Sequence, residues 1–122
     1  MKLLIKDRLF RDIPKVLNLS NENCYLIPKE LFNEYYQNLS LGAKMLYGIY
    51  LDKLISEDVL KDEEGFLFFE FTIEEMNEAL SVSTITSLKY KKELLKNDLL
   101  IQKDKKARKS QNIYYLLKPN GM

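Results

Sequence analysis

The chain has no histidine, which removes the commonest general base and the commonest metal ligand. Its single cysteine, Cys24, leaves no partner for an intrachain disulfide, and a cytoplasmic setting is expected. A lone cysteine is more often a small core residue than a nucleophile. No apolar run approaches the roughly 20 residues that span a bilayer, so no membrane partner is expected. The opening Met1 to Ile5 imitates a signal peptide but is cut short by Lys6, Asp7 and Arg8. The sequence also lacks a Gly-rich phosphate loop, a metal-ligand cluster and a nucleophile–base set. The carboxylate groups Glu74-Glu75 and Asp62-Glu63-Glu64 sit beside turn-like stretches, where such clusters are mostly solvated caps. Neither an enzyme nor a bound cofactor or metal is expected.

What remains is a chain of 122 residues, 46% hydrophobic, which is one domain by length and large enough to bury a core. The formal net charge of +1 hides an uneven distribution. Ser83 to Met122 carries 10 basic against 3 acidic residues, and Cys24 to Val82 carries 4 against 12. A basic C-terminal third points to an anionic partner at that end.

The order of elements there is informative. Thr72 with Glu75 three residues later makes a capping box, and Ile73, Met76, Asn77 and Leu80 share the face of the helix it starts. Ser81-Val82-Ser83 breaks that helix, and Ser83 caps a second one. In the second helix Ile85, Leu88 and Leu95 are expected to line the packed side, with Leu94 at its margin. Thr86, Lys89, Glu93 and Lys96 are expected to point outward, flanked by Tyr90 and Ser83. Asp98 stands where such helices usually end in glycine. Leu99-Leu100-Ile101 and Ile113 to Leu117 read as two short strands, joined by a loop carrying Lys103, Lys105, Lys106, Arg108 and Lys109. Helix, turn, helix and basic hairpin together spell a helix-turn-helix with a wing, whose second helix normally enters a DNA major groove.

Upstream, Leu3 to Leu17 give the first twenty residues an amphipathic look that Pro14 interrupts. Packing of this arm on its own domain is the favoured expectation. Cys24 to Ile27 reads as a short strand ended by Pro28, and Pro28 to Phe32 as a short helix with proline in its first turn. Ser40 caps a longer helix running to Ile55, with Leu41, Met45, Leu46, Ile49, Tyr50 and Leu54 as its apolar stripe. Gly42 and Gly48 within it imply close packing against another element. Phe66 to Phe71 is a strand leading into Thr72. The expected architecture is α+β: a winged helix-turn-helix, mainly helical with a small antiparallel sheet, with residues 1–23 as an arm and 24–122 as the domain.

Several stretches resemble the N-terminal domain of the replication initiator A proteins of Gram-positive plasmids. They are Tyr25-Leu26-Ile27-Pro28-Lys29-Glu30-Leu31-Phe32, then Leu39-Ser40-Leu41-Gly42-Ala43-Lys44-Met45-Leu46-Tyr47-Gly48, then Phe71 to Glu75, and Lys91 to Leu94 through Ile113-Tyr114. The resemblance implies double-stranded DNA binding at repeated origin sites of a theta-replicating plasmid. It also implies a further C-terminal domain for host replication proteins, so the chain looks like the DNA-binding part of a longer initiator. Thr84, where relatives often carry a basic residue, and Lys91, where they often carry leucine, depart from the pattern. The residues expected at DNA are Ser83, Thr84, Thr86, Lys89, Tyr90, Lys92, Lys96, Lys103, Lys105, Lys106, Arg108 and Lys109, with Thr86, Lys89 and Tyr90 nearest the bases. Repeated sites favour a homodimer. Two other functions fit the same scaffold: a winged-helix transcriptional repressor, and a winged helix that binds proteins in a replication-loading complex.

Overall fold

The computed structural model describes residues 6–13, 23–103 and 111–122. Its helices are α1 (Leu41–Leu54), α2 (Ile73–Leu80) and α3 (Thr84–Lys96). Its strands are β1 (Leu60–Lys61), β2 (Leu67–Thr72), β3 (Leu100–Lys103) and β4 (Gln111–Leu116). Two short 3-10 turns, Lys29–Phe32 and Glu34–Tyr36, precede α1. The strands form one antiparallel sheet in the order β1-β2-β4-β3. This is the expected α+β winged helix-turn-helix.

Ser40 starts α1, its hydroxyl accepting the Ala43 N–H at 3.2 Å, which satisfies one of the otherwise orphaned first-turn donors. The expected single stripe is not what α1 presents. Leu41 and Met45 are 69% and 48% exposed, whereas Ala43, Tyr47 and Leu51 are buried together with Leu46, Ile49, Tyr50 and Leu54. A helix enclosed on most sides has no single apolar face. Gly48 is part of this enclosure, because a Cβ there would come 2.7 Å from Ile27 Cγ1. The expected strand at Cys24 to Ile27 is corrected by the same contact. The segment joins no sheet and packs on α1 through Ile27, so its strand-like composition serves helix packing instead.

Aromatic side chains join α1 to the sheet. Inward-facing Leu67, Phe69 and Phe71 alternate along β2 with partly exposed neighbours, as the two-residue strand period requires. The Tyr50 ring lies 5.5 Å from Phe69, 5.4 Å from Phe71 and 5.4 Å from Tyr114, in the tilted and edge-on geometries that aromatic quadrupoles favour. Its hydroxyl reaches Met76 Sδ of α2 at 3.9 Å. The Tyr47 hydroxyl donates to the Leu117 carbonyl at 2.7 Å. Burial pushes the pKa values of both hydroxyls well above the ordinary tyrosine value, so both stay protonated donors.

The other face of the sheet carries a smaller cluster of Leu9, Phe66, Tyr115 and Leu117. Residues 8–10 close onto the domain here. The Leu67 N–H donates to the Phe10 carbonyl and the Lys118 N–H to the Arg8 carbonyl, each at 2.8 Å. Phe10 is fully buried in the main core. Among the described residues no helix is long and apolar enough to cross a membrane.

Candidate nucleic-acid interface

The α2–α3 joint is fixed by short polar contacts. The capping box forms as expected: Thr72 Oγ1 accepts the Glu75 N–H and Glu75 Oε1 accepts the Thr72 N–H, each at 3.0 Å. α2 ends on Ser81 in the left-handed region, φ 57°, with the Val82 N–H returning to the Asn77 carbonyl at 3.2 Å. Ser83 Oγ then accepts the Thr86 N–H at 3.3 Å. Asn77 Nδ2 donates to Thr84 Oγ1 at 2.7 Å, tying the first residue of α3 back to α2. At the far end of α3 the Leu99 N–H reaches the Leu94 carbonyl at 3.0 Å and the Asp98 N–H reaches that of Leu95 at 3.3 Å. This is a Schellman closure, and Asp98, at φ 56°, occupies the position that glycine usually fills.

The face that α3 buries differs from the expected one. Ser87 and Leu94 are fully buried, with Tyr90 and Lys91 partly buried beside them. Ile85 is 82% exposed and Leu88 39% exposed, although both were expected inside. The helix is therefore turned about its axis by roughly one residue, or about 100°. Two contacts hold it there. The Tyr90 ring lies directly over Gly42 of α1, where no Cβ could fit. The Lys91 ammonium donates to the Tyr114 hydroxyl at 3.3 Å and stands 5.7 Å from the centre of that ring. Lys91 thus carries its charge along the edge of the core, in the place where a leucine would have shown the packed face directly.

Glu93 is the second correction. It was expected to point outward, but its carboxylate accepts the Ser40 N–H at 2.8 Å and the Ser40 hydroxyl at 2.7 Å. A carboxylate at the start of α1 is favoured by the partial positive charge of the helix N-terminus. Glu93 is the only acidic residue of α3, so the outward face of that helix holds no negative charge of its own.

The expected site residues now separate into groups. Ser83, Thr84, Lys89, Lys92 and Lys96 are exposed, and Thr86 is partly buried. The Ser83 hydroxyl lies 3.2 Å from Thr86 Oγ1. Lys89, Lys92 and Lys96 make no hydrogen bond or ion pair with other described residues. Tyr90 turns toward α1 and is a packing residue, not an outward one. The hairpin pairs Leu100 with Leu116 through to Lys103 with Ile113. This brings exposed Lys103 to the wing end of the sheet, its ammonium 5.8 Å from the Phe68 ring. Lys105, Lys106, Arg108 and Lys109 lie outside the described residues. Ile85 and Leu88 are outward-facing positions that sequence reasoning assigned to the interior. The one signal against that assignment was Lys91, a charged residue on the face taken as packed.

No curated protein sequence matches the chain. Solved structures do. A chain described as "N-Terminal domain of DNA binding protein" is 34% identical, with a TM-score of 0.70, covering 91% of this chain and 86% of that one. A second, described as "Structure of Rep-DNA complex", is 35% identical with a TM-score of 0.70, covering 91% and 87%. A third, "Structure of MDR initiator", is 35% identical with a TM-score of 0.68, covering 91% and 89%. Residues 23–119 match the family described as "Replication initiator protein A (RepA) N-terminus". A winged helix with a basic outward face on its second helix, matched over most of its length to that family, belongs to the N-terminal domains of replication initiator A proteins.

Proposed function

We propose that the chain binds double-stranded DNA sequence-specifically, at repeated sites of a plasmid origin, and so begins replication of that plasmid. The observation that carries this reading is the outward face of α3, where Lys89, Lys92 and Lys96 stand exposed with no ion-pair partner among the described residues and the one carboxylate of the helix is turned inward. A relative in complex with DNA supports it.

The action is positioning, not chemistry. α3 lies in the major groove, with its first turns nearest the bases. Ser83, Thr84, Thr86 and Lys89 sit at those turns, while Lys92, Lys96 and Lys103 neutralise phosphates, joined by Lys105, Lys106, Arg108 and Lys109 of the wing loop. Tyr90 leaves this set. The work is done in the cytoplasm, by a homodimer on the repeats, with host replication proteins engaged by a further C-terminal domain.

The test is a binding assay against fragments of the source replicon, with footprinting of any fragment bound. Neutralising about 5 phosphates gives a slope near −4 to −5 for log K against log salt. Replacing Lys89, Lys92 and Lys96 by alanine reduces that slope by up to about 3 units. Affinity indifferent to salt, or protection confined to sites outside the origin, counts against the reading.

A further inference from the structure

The outward face of α3 is not only basic. Ile85, in the first turn, is the most exposed large apolar side chain among the described residues at 82%, and Leu88, one turn further on, is 39% exposed. A single exposed apolar residue needs no explanation. Two on adjacent turns of one helix face, beside three exposed lysines, form a composite surface. The hydroxyls around them already hold contacts within the protein. Ser83 caps the helix through the Thr86 N–H and lies against Thr86 Oγ1, and Thr84 accepts from Asn77. At the start of the helix the hydrocarbon of Ile85 and Leu88 therefore stands exposed beside hydroxyls that each already hold a contact within the protein.

In a major groove the apolar feature is the C5-methyl group of thymine, and aliphatic or methyl-bearing side chains are the ones that meet it. The lysines on the same face fit phosphates on either side and oppose docking of a second, equally basic copy. Resting on the duplex-binding reading above, we propose that Ile85, with Leu88 one turn behind it, reads thymine methyl groups. The preferred site then carries thymine at the positions facing the first two turns of α3.

The experiment selects duplexes from a randomised library with the whole chain. The selected site is resynthesised with deoxyuridine at one thymidine at a time, which removes only the methyl group. One or two positions should lose about fourfold in affinity, the equivalent of ~0.8 kcal/mol for one buried methyl. In Ile85→Ala or Leu88→Ala the same positions should become insensitive to the replacement. Thermal melting verifies that both variants fold, as their exposure predicts, and Ile85→Val should retain most of the sensitivity. Tight binding that tolerates deoxyuridine everywhere overturns the proposal. So does a loss of the same size in wild type and both alanine variants, or a change in sedimentation of the variants with thymine sensitivity intact. Recovery of no duplex at all overturns the underlying reading along with it, and is told apart from these outcomes by the absence of any salt-dependent binding.

Discussion

Replacing Gly42 by alanine places a methyl group inside the Tyr90 ring as it stands. The intrinsic effect of the change favours the fold, because alanine is better than glycine in a helix interior by up to about 1 kcal/mol. The opposing term is overpacking, which typically costs about 1–3 kcal/mol when neighbours must shift. Here the neighbour is a planar ring wedged between α1 and α3, with only two side-chain torsions to adjust, so the larger part of that range applies. The net expectation for Gly42→Ala is a loss of about 1–2 kcal/mol, or a fall in Tm of about 3–8 °C for a domain of this size. In a Tyr90→Ala background the three atoms nearest the added methyl are gone, and the sign should reverse: Gly42→Ala becomes neutral or stabilising. Urea unfolding of wild type, both single variants and the double variant measures the coupling. A second readout is duplex affinity at a temperature where all four proteins are folded. A ring displaced from its seat pushes on α3, so Gly42→Ala should weaken specific binding beyond its effect on stability. The same loss in both backgrounds, or wild-type stability of Gly42→Ala, would refute the packing argument.

Other expectations follow from single features. Asp98→Gly should stabilise by about 1 kcal/mol, because a non-glycine residue in the left-handed region costs about 1–2 kcal/mol, and thermal melting reads it; a lower Tm would mean the aspartate side chain holds that turn. Tyr47→Phe removes a buried hydroxyl donor from the Leu117 carbonyl and should cost about 1–3 kcal/mol, the penalty for leaving a buried acceptor unsatisfied, measured by urea unfolding. For Asp62, burial raises the pKa, but the N–H groups of Phe66, Glu64 and Gly65 and the Tyr115 hydroxyl bring it on balance below the usual carboxylate value. Its contribution is then fully present above the unfolded value of about 4 and lost as pH falls through the lower folded value. Asp62→Asn should therefore cost stability at neutral pH and progressively less in acid, and an equal cost at both would dismiss the linkage. On the alkaline side, burial and then the bond to Asp62 push Tyr115 up to about 12, so its share persists through about pH 10 and fades as pH rises through the folded value.

The frame of the fold was readable wherever the signal was local. The Thr72–Glu75 box, the Ser40 and Ser83 caps and the left-handed Asp98 each depend on residues a few positions apart, and each sits where its chemistry required. The faces of helices depend on what lies across from them. α3 exposes Ile85 and Leu88 and half-buries Lys91, because Gly42 receives the Tyr90 ring and Tyr114 receives the Lys91 ammonium, and neither partner is near in sequence. Such a conflict between pattern and placement is what a binding surface produces, where an apolar group is kept outside for a partner instead of the core. Cys24 to Ile27 was misread for a related reason. Composition shows that a segment suits an extended backbone, but not whether another strand is there to pair with it.

The bond from Glu93 to Ser40 has a mechanical consequence. Both carboxylate oxygens grip the N-cap residue of α1, so α3 cannot roll or slide without unseating the start of the central helix. The Asn77–Thr84 bond anchors its other end in the same way. The helix that faces outward is therefore held at both ends, on α1 and on α2, and a duplex docking on it meets a fixed shape. Little ordering is left for α3 to undergo on association, which preserves affinity. Adjustment then falls to the DNA, and sites whose base steps bend easily toward this fixed helix are favoured even at positions the side chains never reach.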